Sequence, residues 1–194
     1  EILRDSGYQT AAQTTNPYLT RSYGCHRGFS TFRHSMDAPR LLPFQNRLQS
    51  LLPPASNPYH DQHTGTAEAV TRGAISWLHQ APQQPFFLWV HYLDPHLPYT
   101  PPGSSPSPQT AAFLNHNNIR AGIASTSLAS RNQLRTLYNG EIAFCDQWVG
   151  RLLAEIDHLG LNQNTIIILT ADHGEEFWEH CGFEHGHTLH DEVV

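Results

Sequence analysis

Charge is scarce in this sequence. Asp, Glu, Lys and Arg make up 14% of 194 residues, with 11 basic against 17 acidic side chains and a formal net charge of -6. A mildly acidic surface argues against nonspecific nucleic-acid binding as the main business of the chain. Long apolar runs are missing too, and none would span a membrane. Cysteine is sparse: Cys25, Cys145 and Cys181 are widely spaced, form no CxxC pair and make no even-numbered disulfide framework. They therefore leave the redox compartment open. The single methionine is Met36, and no internal repeat is visible. The chain opens on Glu1 inside a helical pattern and stops at Val194 in mid-pattern, so a piece of a larger domain is expected.

Apolar residues, by contrast, are plentiful. They make up 39% of the chain, enough for a sizeable core in one domain or most of a larger one. Histidine reaches 14, and many of these fall near the C-terminus.

Residues 1–7 read as the end of a helix capped by Gly7, and residues 8–15 as a short strand. Residues 16–32, rich in Gly, Tyr and Arg, read as loop. Prolines break residues 39–58, leaving at most a short helix around 44–52. Residues 64–80 have helical spacing, with Val70, Ala74, Trp77 and Leu78 on one face and Thr64 or Thr66 available as cap. The nearly continuous apolar run of residues 85–93 suits a buried parallel strand. Residues 97–128 form a Pro-, Ser- and Asn-rich excursion, the kind that walls or covers active sites. The longest helix is expected over residues 131–159, ended by Gly160, and a second apolar strand over 164–170. This alternation predicts an α/β fold: a mostly parallel central sheet, right-handed crossovers and helices on both faces.

Three constellations carry chemistry. Asp172-His173-Gly174-Glu175 follows the second strand, where ligands bind in open α/β sheets. A carboxylate oxygen and a neutral imidazole can hold a divalent cation, and Gly174 lets the chain turn away. The plainer alternative is an Asp capping a helix beside a surface His. The second constellation, His91-Tyr-Leu-Asp94-Pro-His96-Leu-Pro-Tyr99, leaves the first strand at its carboxyl end. Pro95 and Pro98 stiffen the backbone around His96, whose imidazole can then act as an acid or as a donor to an anionic oxygen. The alternative is an ordinary Pro-rich turn. His91 reads as a weaker candidate or a satisfied buried His, and Asp94 as an orienting group or a turn cap. The third is Glu179-His180-Cys-Gly-Phe-Glu184-His185-Gly186-His187, continuing to His190-Asp191-Glu192. Folded back over Asp172, it would bring His185 or His187 to a bound anion; otherwise it is a polar surface loop. Glu141 and Asp146 sit among apolar residues of the long helix, where a solvated face is favoured over a buried pair. Tyr18, Tyr23, Arg27 and Phe29 read as loop packing, with anion binding an alternative for Arg27.

In order along the chain, these segments resemble the sulfatase family of the alkaline-phosphatase-like superfamily. Gly7-Tyr8-Gln-Thr10-Ala11 is similar to the family's GYxTA, and Arg27-Gly28-Phe29 with Phe32 to its rGFdxF. Pro85-Phe-Phe-Leu88 through His96-Leu-Pro98-Tyr99 is similar to PFFL…PHxPY. Tyr138-Asn-Gly140-Glu141-Ile142, with Asp146 and Gly150, is similar to YxgeIxxxDxxvG, and residues 165–174 to TiiiltSDHG. Each motif is weak alone; five in order cover nearly the whole chain.

The resemblance implies a metal-dependent sulfuric ester hydrolase of alkaline-phosphatase-like α/β fold, acting on a sulfated small molecule or glycan. Relatives are often periplasmic or secreted. It further implies a divalent cation at the carboxyl edge of the sheet, calcium in the family, and a formylglycine nucleophile made from Cys or Ser in C/S-x-P-x-R. Asp172 and His173 match the family's later metal-ligand pair. His96 matches the histidine that assists the leaving group. His185 matches the basic residue that contacts the anion, with His187 as its rival. An Asp-His pair departs from the usual Asp-Asn, and an imidazole ligand suits zinc or manganese better than calcium. That departure also occurs in relatives acting on phosphate esters. A phosphodiesterase or phospho-group transferase on the same fold is therefore the alternative, and a noncatalytic metal- or carbohydrate-binding relative a further one. No C/S-x-P-x-R and no early aspartate pair occur in this sequence. Both are expected upstream of Glu1, and a C-terminal subdomain beyond Val194. Residues 1–194 are thus expected to form a partial catalytic domain that keeps the outline of the fold but not turnover by itself.

Overall fold

The structure, a computed structural model, describes residues 1–34, 66–80, 85–108, 110 and 127–194. Its organising element is β1 (Gln9–Thr14), built from Thr, Ala and Gln and buried at five of its six positions. Small side chains suit a strand covered on both faces. β1 pairs in parallel with β2 (Thr31–His34) on one side and β3 (Phe86–His91) on the other, giving the order β2-β1-β3. A one-turn helix, α1 (Ile2–Asp5), leads into β1 through Gly7, whose φ of 87° ends the turn as expected of a helix C-cap glycine.

Side chains alternate across the sheet. On one face Ala11, Phe86, Leu88 and Val90 meet Ala74, Trp77 and Leu78 of α2 (Thr66–Leu78), and Leu152 and Ile156 of α3 (Leu128–His158) complete this core. On the other face Phe29 stacks over Phe87 and Trp89 at ring separations of 6.1 and 6.0 Å. Thr10 pins that loop: its hydroxyl donates to the Gly28 carbonyl at 2.8 Å and accepts from the Ser30 amide at 2.9 Å. The fold is α/β with a parallel sheet, as the alternation predicts.

A second core forms where α3 runs past the carboxyl end of the sheet. Leu134 and Leu137 of α3 pack with Leu97, Tyr99 and Phe177. The two loops that carry the histidine motifs are therefore fastened to one helix. A short hairpin, β4 (Glu176–Phe177) and β5 (Phe183–Glu184), follows.

Several local expectations need correcting. Residues 164–170 do not form a strand. After a 3-10 turn (Asn162–Asn164) they run without sheet partners, with Ile166 89%, Ile168 82% and Leu169 79% exposed. Branched apolar residues favour extended backbone, but a strand also needs a hydrogen-bonded neighbour, and none lies alongside among the described residues. β3 is an edge strand of intermediate burial rather than a fully buried one. β2 extends into residues read as loop; its alternating burial at Phe32 and His34 is masked by the Gly- and Arg-rich flanks. Thr66 is the first residue of α2 and not its cap; its hydroxyl donates to Asp94 Oδ2. Thr64, the short helix around 44–52 and most of the excursion after residue 110 lie outside the described residues.

Candidate active site

His96 leaves β3 in a loop that fixes its ring. Its amide donates to the Leu93 carbonyl at 2.8 Å, and its Nδ1 meets the Leu97 carbonyl at 2.7 Å. A carbonyl only accepts, so Nδ1 carries a proton and Nε2 is the nitrogen left for chemistry. Leu97 and Tyr99, buried in the second core, hold the loop down on either side of Pro98.

His173 is oriented in the same way, with Nδ1 2.8 Å from the Gly174 carbonyl and Nε2 turned toward Asp172 Oδ1 at 3.9 Å. The close approach of the chain needs Gly174, because a Cβ there would collide with the Glu192 carbonyl. Asp172 is exposed and accepts the His173 amide at 3.1 Å. A carboxylate and an imidazole are donor types that a divalent cation takes. Two donors do not make a complete site, and no group of three or more His, Cys, Asp or Glu that could hold a metal occurs among the described residues.

His185 comes back from the hairpin and joins them. Its ring lies 3.9 Å from that of His173 and 5.7 Å from that of His96. Glu175 organises this meeting: Oε1 pairs with His185 Nδ1 at 2.9 Å, and Oε2 accepts the Tyr99 hydroxyl at 2.6 Å. The hydrogen bond to Glu175 raises the His185 pKa, burial opposes it, and the charges of Glu175, Glu184 and Asp172 add to the rise. The tendency is toward an imidazolium. His91, at the end of β3, is held below the ordinary histidine range by burial, against the pull of the Asp172 charge.

His187 is engaged elsewhere. Its Nε2 lies 3.1 Å from Glu176 Oε2, while Glu176 Oε1 accepts the amides of Gly182 at 2.7 Å and His180 at 3.0 Å. It braces the hairpin, and its ring is not part of the His96–His173–His185 contact. His180 stacks on His190, and Glu179 pairs with Arg135 of α3 at 2.6 Å. Arg27 lines a cleft with Glu1, Thr10 and Phe87, toward the amino end of β1 and away from the histidines.

Three residues with structural work at the site carry no catalytic, substrate-binding or metal role among the expectations from sequence: Glu175, Tyr99 and Glu141. All three stand inside quoted motifs, and only the fold reveals that Glu175 and Tyr99 bond to each other. Glu141 corrects an expectation. It is 3% exposed rather than solvated, because the loop after His96 docks on α3 there and the Thr100 amide needs an acceptor, which Glu141 Oε1 supplies at 2.7 Å. Asp146 is exposed, as expected.

Comparison with known proteins gives this geometry a setting. A family profile described as Sulfatase matches residues 1–192. An arylsulfatase of Clostridium perfringens is 28% identical over 123 residues, covering 54% of this chain and 25% of the relative. An ulvan-active sulfatase of Formosa agariphila is 34% identical over 93 residues, covering 47% and 17% respectively. A multifunctional alkaline phosphatase superfamily protein of Trinickia caryophylli is 28% identical over 140 residues, covering 57% and 27%. The chain thus spans about a quarter or less of the length of these relatives.

Proposed function

The chain belongs to the sulfatase family, and from that premise we propose that it takes part in hydrolysing a sulfate ester at the carboxyl edge of the sheet. The reading rests on one observation above all, the convergence of His96, His173 and His185 from two loops far apart in sequence. Hydrolysis of R–O–SO3⁻ requires charge to be neutralised on the nonbridging oxygens and a proton to reach the departing oxygen. His185, held toward the imidazolium by Glu175, donates to a nonbridging oxygen. His96 presents Nε2 to the bridging oxygen and, when protonated, supplies the proton of the leaving alcohol. The substrate class is a sulfated small molecule or glycan.

Asp172 and His173 would hold a divalent cation. Their donor chemistry fits one: the carboxylate has lone pairs to spare, and the Gly174 carbonyl fixes the His173 tautomer that leaves Nε2 free. Such a cation acts as Lewis acid on the ester oxygens, and the nitrogen donor favours zinc or manganese over calcium. A formylglycine precursor does not fit the cysteines present. Cys25 is followed by His-Arg, Cys181 by Gly-Phe, and Cys145 lies within α3, its thiol pushed up to about 12 by burial. A phosphate ester is the second reading, favoured by the imidazole in the ligand pair and by the likeness to the multifunctional alkaline phosphatase superfamily protein.

The test is turnover of paired aryl sulfate and aryl phosphate esters by the full-length protein. His96→Ala is expected to lower kcat by about 10²–10⁴-fold, and Asp172→Ala to remove both turnover and metal-dependent thermal stabilisation. Wild-type rates in either variant overturn that residue's role, and a preference for phosphate decides for the second reading.

A further inference from the structure

Asp94 and Glu141, two carboxyl groups, are buried at 7% and 3% exposure where the loop that carries His96 docks on α3, near enough for the Asp94 charge to act on Glu141. Two charged carboxylates buried so near one another repel, and neither has bulk water to screen it. The bonds around the pair accommodate one proton. The Thr66 hydroxyl, at the start of α2, donates to Asp94 Oδ2. The Thr100 amide donates to Glu141 Oε1 at 2.7 Å. A protonated Glu141 accepts from Thr100 on its carbonyl oxygen and keeps an O–H to offer the Asp94 carboxylate. The backbone is shaped for this docking: a Cβ at Gly140 would lie 2.8 Å from Pro101 Cγ. His96 stands two residues after Asp94 and four before Thr100, inside the span that these bonds tie to α2 and α3.

We propose that Asp94 and Glu141 form a one-proton latch that positions His96, a role that rests on the reading of His96 given above. Burial, and then the neighbouring Asp94 charge, push the Glu141 carboxyl up to about 8, which agrees with the geometry. The other titratable groups at the latch stay neutral at that pH. The Cys145 thiol is pushed up to about 12 by burial and then by Asp94, Asp146 and Glu141, and the Tyr92 phenol, bonded to Thr71, is raised by burial. The Glu141 carboxyl is protonated in the folded chain across a range where the unfolded chain has lost that proton. Folding then takes up a proton, and stability falls from the ordinary carboxyl range up to about 8 and is level above it.

The test needs no catalytic readout. In the full chain with labelled side-chain carboxyls, carbon NMR is expected to show the Glu141 carboxyl titrating at about 8. Glu141→Gln keeps an acceptor for Thr100 and a donor for Asp94. It should abolish that transition while leaving Thr100 exchange and the His96 ring signals unchanged. Glu141→Ala should speed Thr100 amide exchange by about tenfold or more and shift the His96 ring signals. Titration of both carboxyls in the ordinary acid range overturns the latch. So do His96 signals in Glu141→Ala that match the wild type. If the Ala variant does not fold, the Gln titration still decides. With turnover added, kcat should fall in Glu141→Ala with KM little changed and recover in Glu141→Gln. Latch signals that respond as expected in a protein without sulfate-ester turnover support the latch and overturn the reaction.

Discussion

Glu175 shows how much a single side chain can hold together at this site. One carboxylate oxygen faces His185 and the other accepts the Tyr99 hydroxyl, so the hairpin and the His96 loop share one anion. The consequence for stability is asymmetric. Tyr99 has no exposed surface, and Glu175→Ala leaves its hydroxyl buried without an acceptor, an arrangement that costs about 1–3 kcal/mol. Tyr99→Phe leaves no buried hydroxyl behind; Glu175 Oε2 loses one donor while Oε1 keeps His185, so the loss should stay at about 1 kcal/mol. Denaturant unfolding of the two variants measures this order directly, and a Tyr99→Phe loss as large as that of Glu175→Ala would show that the hydroxyl is not satisfied through Glu175. Neither residue's part was legible in advance. Asp172, His173 and His96 announce themselves by type and by their place after apolar runs, whereas Glu175 and Tyr99 matter because 76 residues of chain return to the same point.

Among the elements, the β4–β5 hairpin is the one most dependent on a buried charge. Trp178, Cys181 and Glu184 all adopt positive φ, at 67°, 70° and 76°, a conformation that side chains with a Cβ rarely take. Glu176 offsets that strain by gathering the Gly182 and His180 amides and the His187 ring. Burial works against its charge, but the two amide bonds and then His187 hold its carboxyl below the usual range. A carboxyl lowered by folding contributes stability that is present above its unfolded value and is lost as pH falls through the folded one. Exchange of the Gly182 and His180 amides should therefore accelerate at acid pH, below the ordinary glutamate range. Glu176→Gln should show fast exchange at neutral pH already, and protection that is flat with pH in the wild type argues against the ionised brace. The hairpin also shows why parts of the fold escaped the sequence. Two-residue strands leave no periodicity to read, and positive φ at non-glycine positions is set by surrounding contacts rather than by residue type. Residues 164–170 fail in the opposite sense. Their β-branched run predicts a strand from local preference, but pairing is a tertiary property, and the described residues place no partner beside them.

At the scale of the whole molecule, α3 joins two cores with different tasks. Its C-terminal half, through Leu152 and Ile156, packs on α2 and the sheet; its N-terminal half, through Leu134 and Leu137, receives both histidine loops. The long helical period in the sequence made α3 legible, and with it the parallel α/β layering. What the period could not convey is that one apolar stripe serves two separate partners, because periodicity reports which face is buried and not what buries it. The division has a measurable consequence. Leu134 is fully buried between Leu97, Tyr99 and Phe177, so Leu134→Ala should cost about 2–5 kcal/mol, as cavities in well-packed cores do. The loss should also be local. Hydrogen exchange in Leu134→Ala should rise around residues 93–100 and 176–184 before it rises in β1, while Ile156→Ala should show the reverse order. Equal loss of protection in both regions from either variant would mean that the two cores unfold as one cooperative unit. The separation seen along α3 would then have no energetic counterpart.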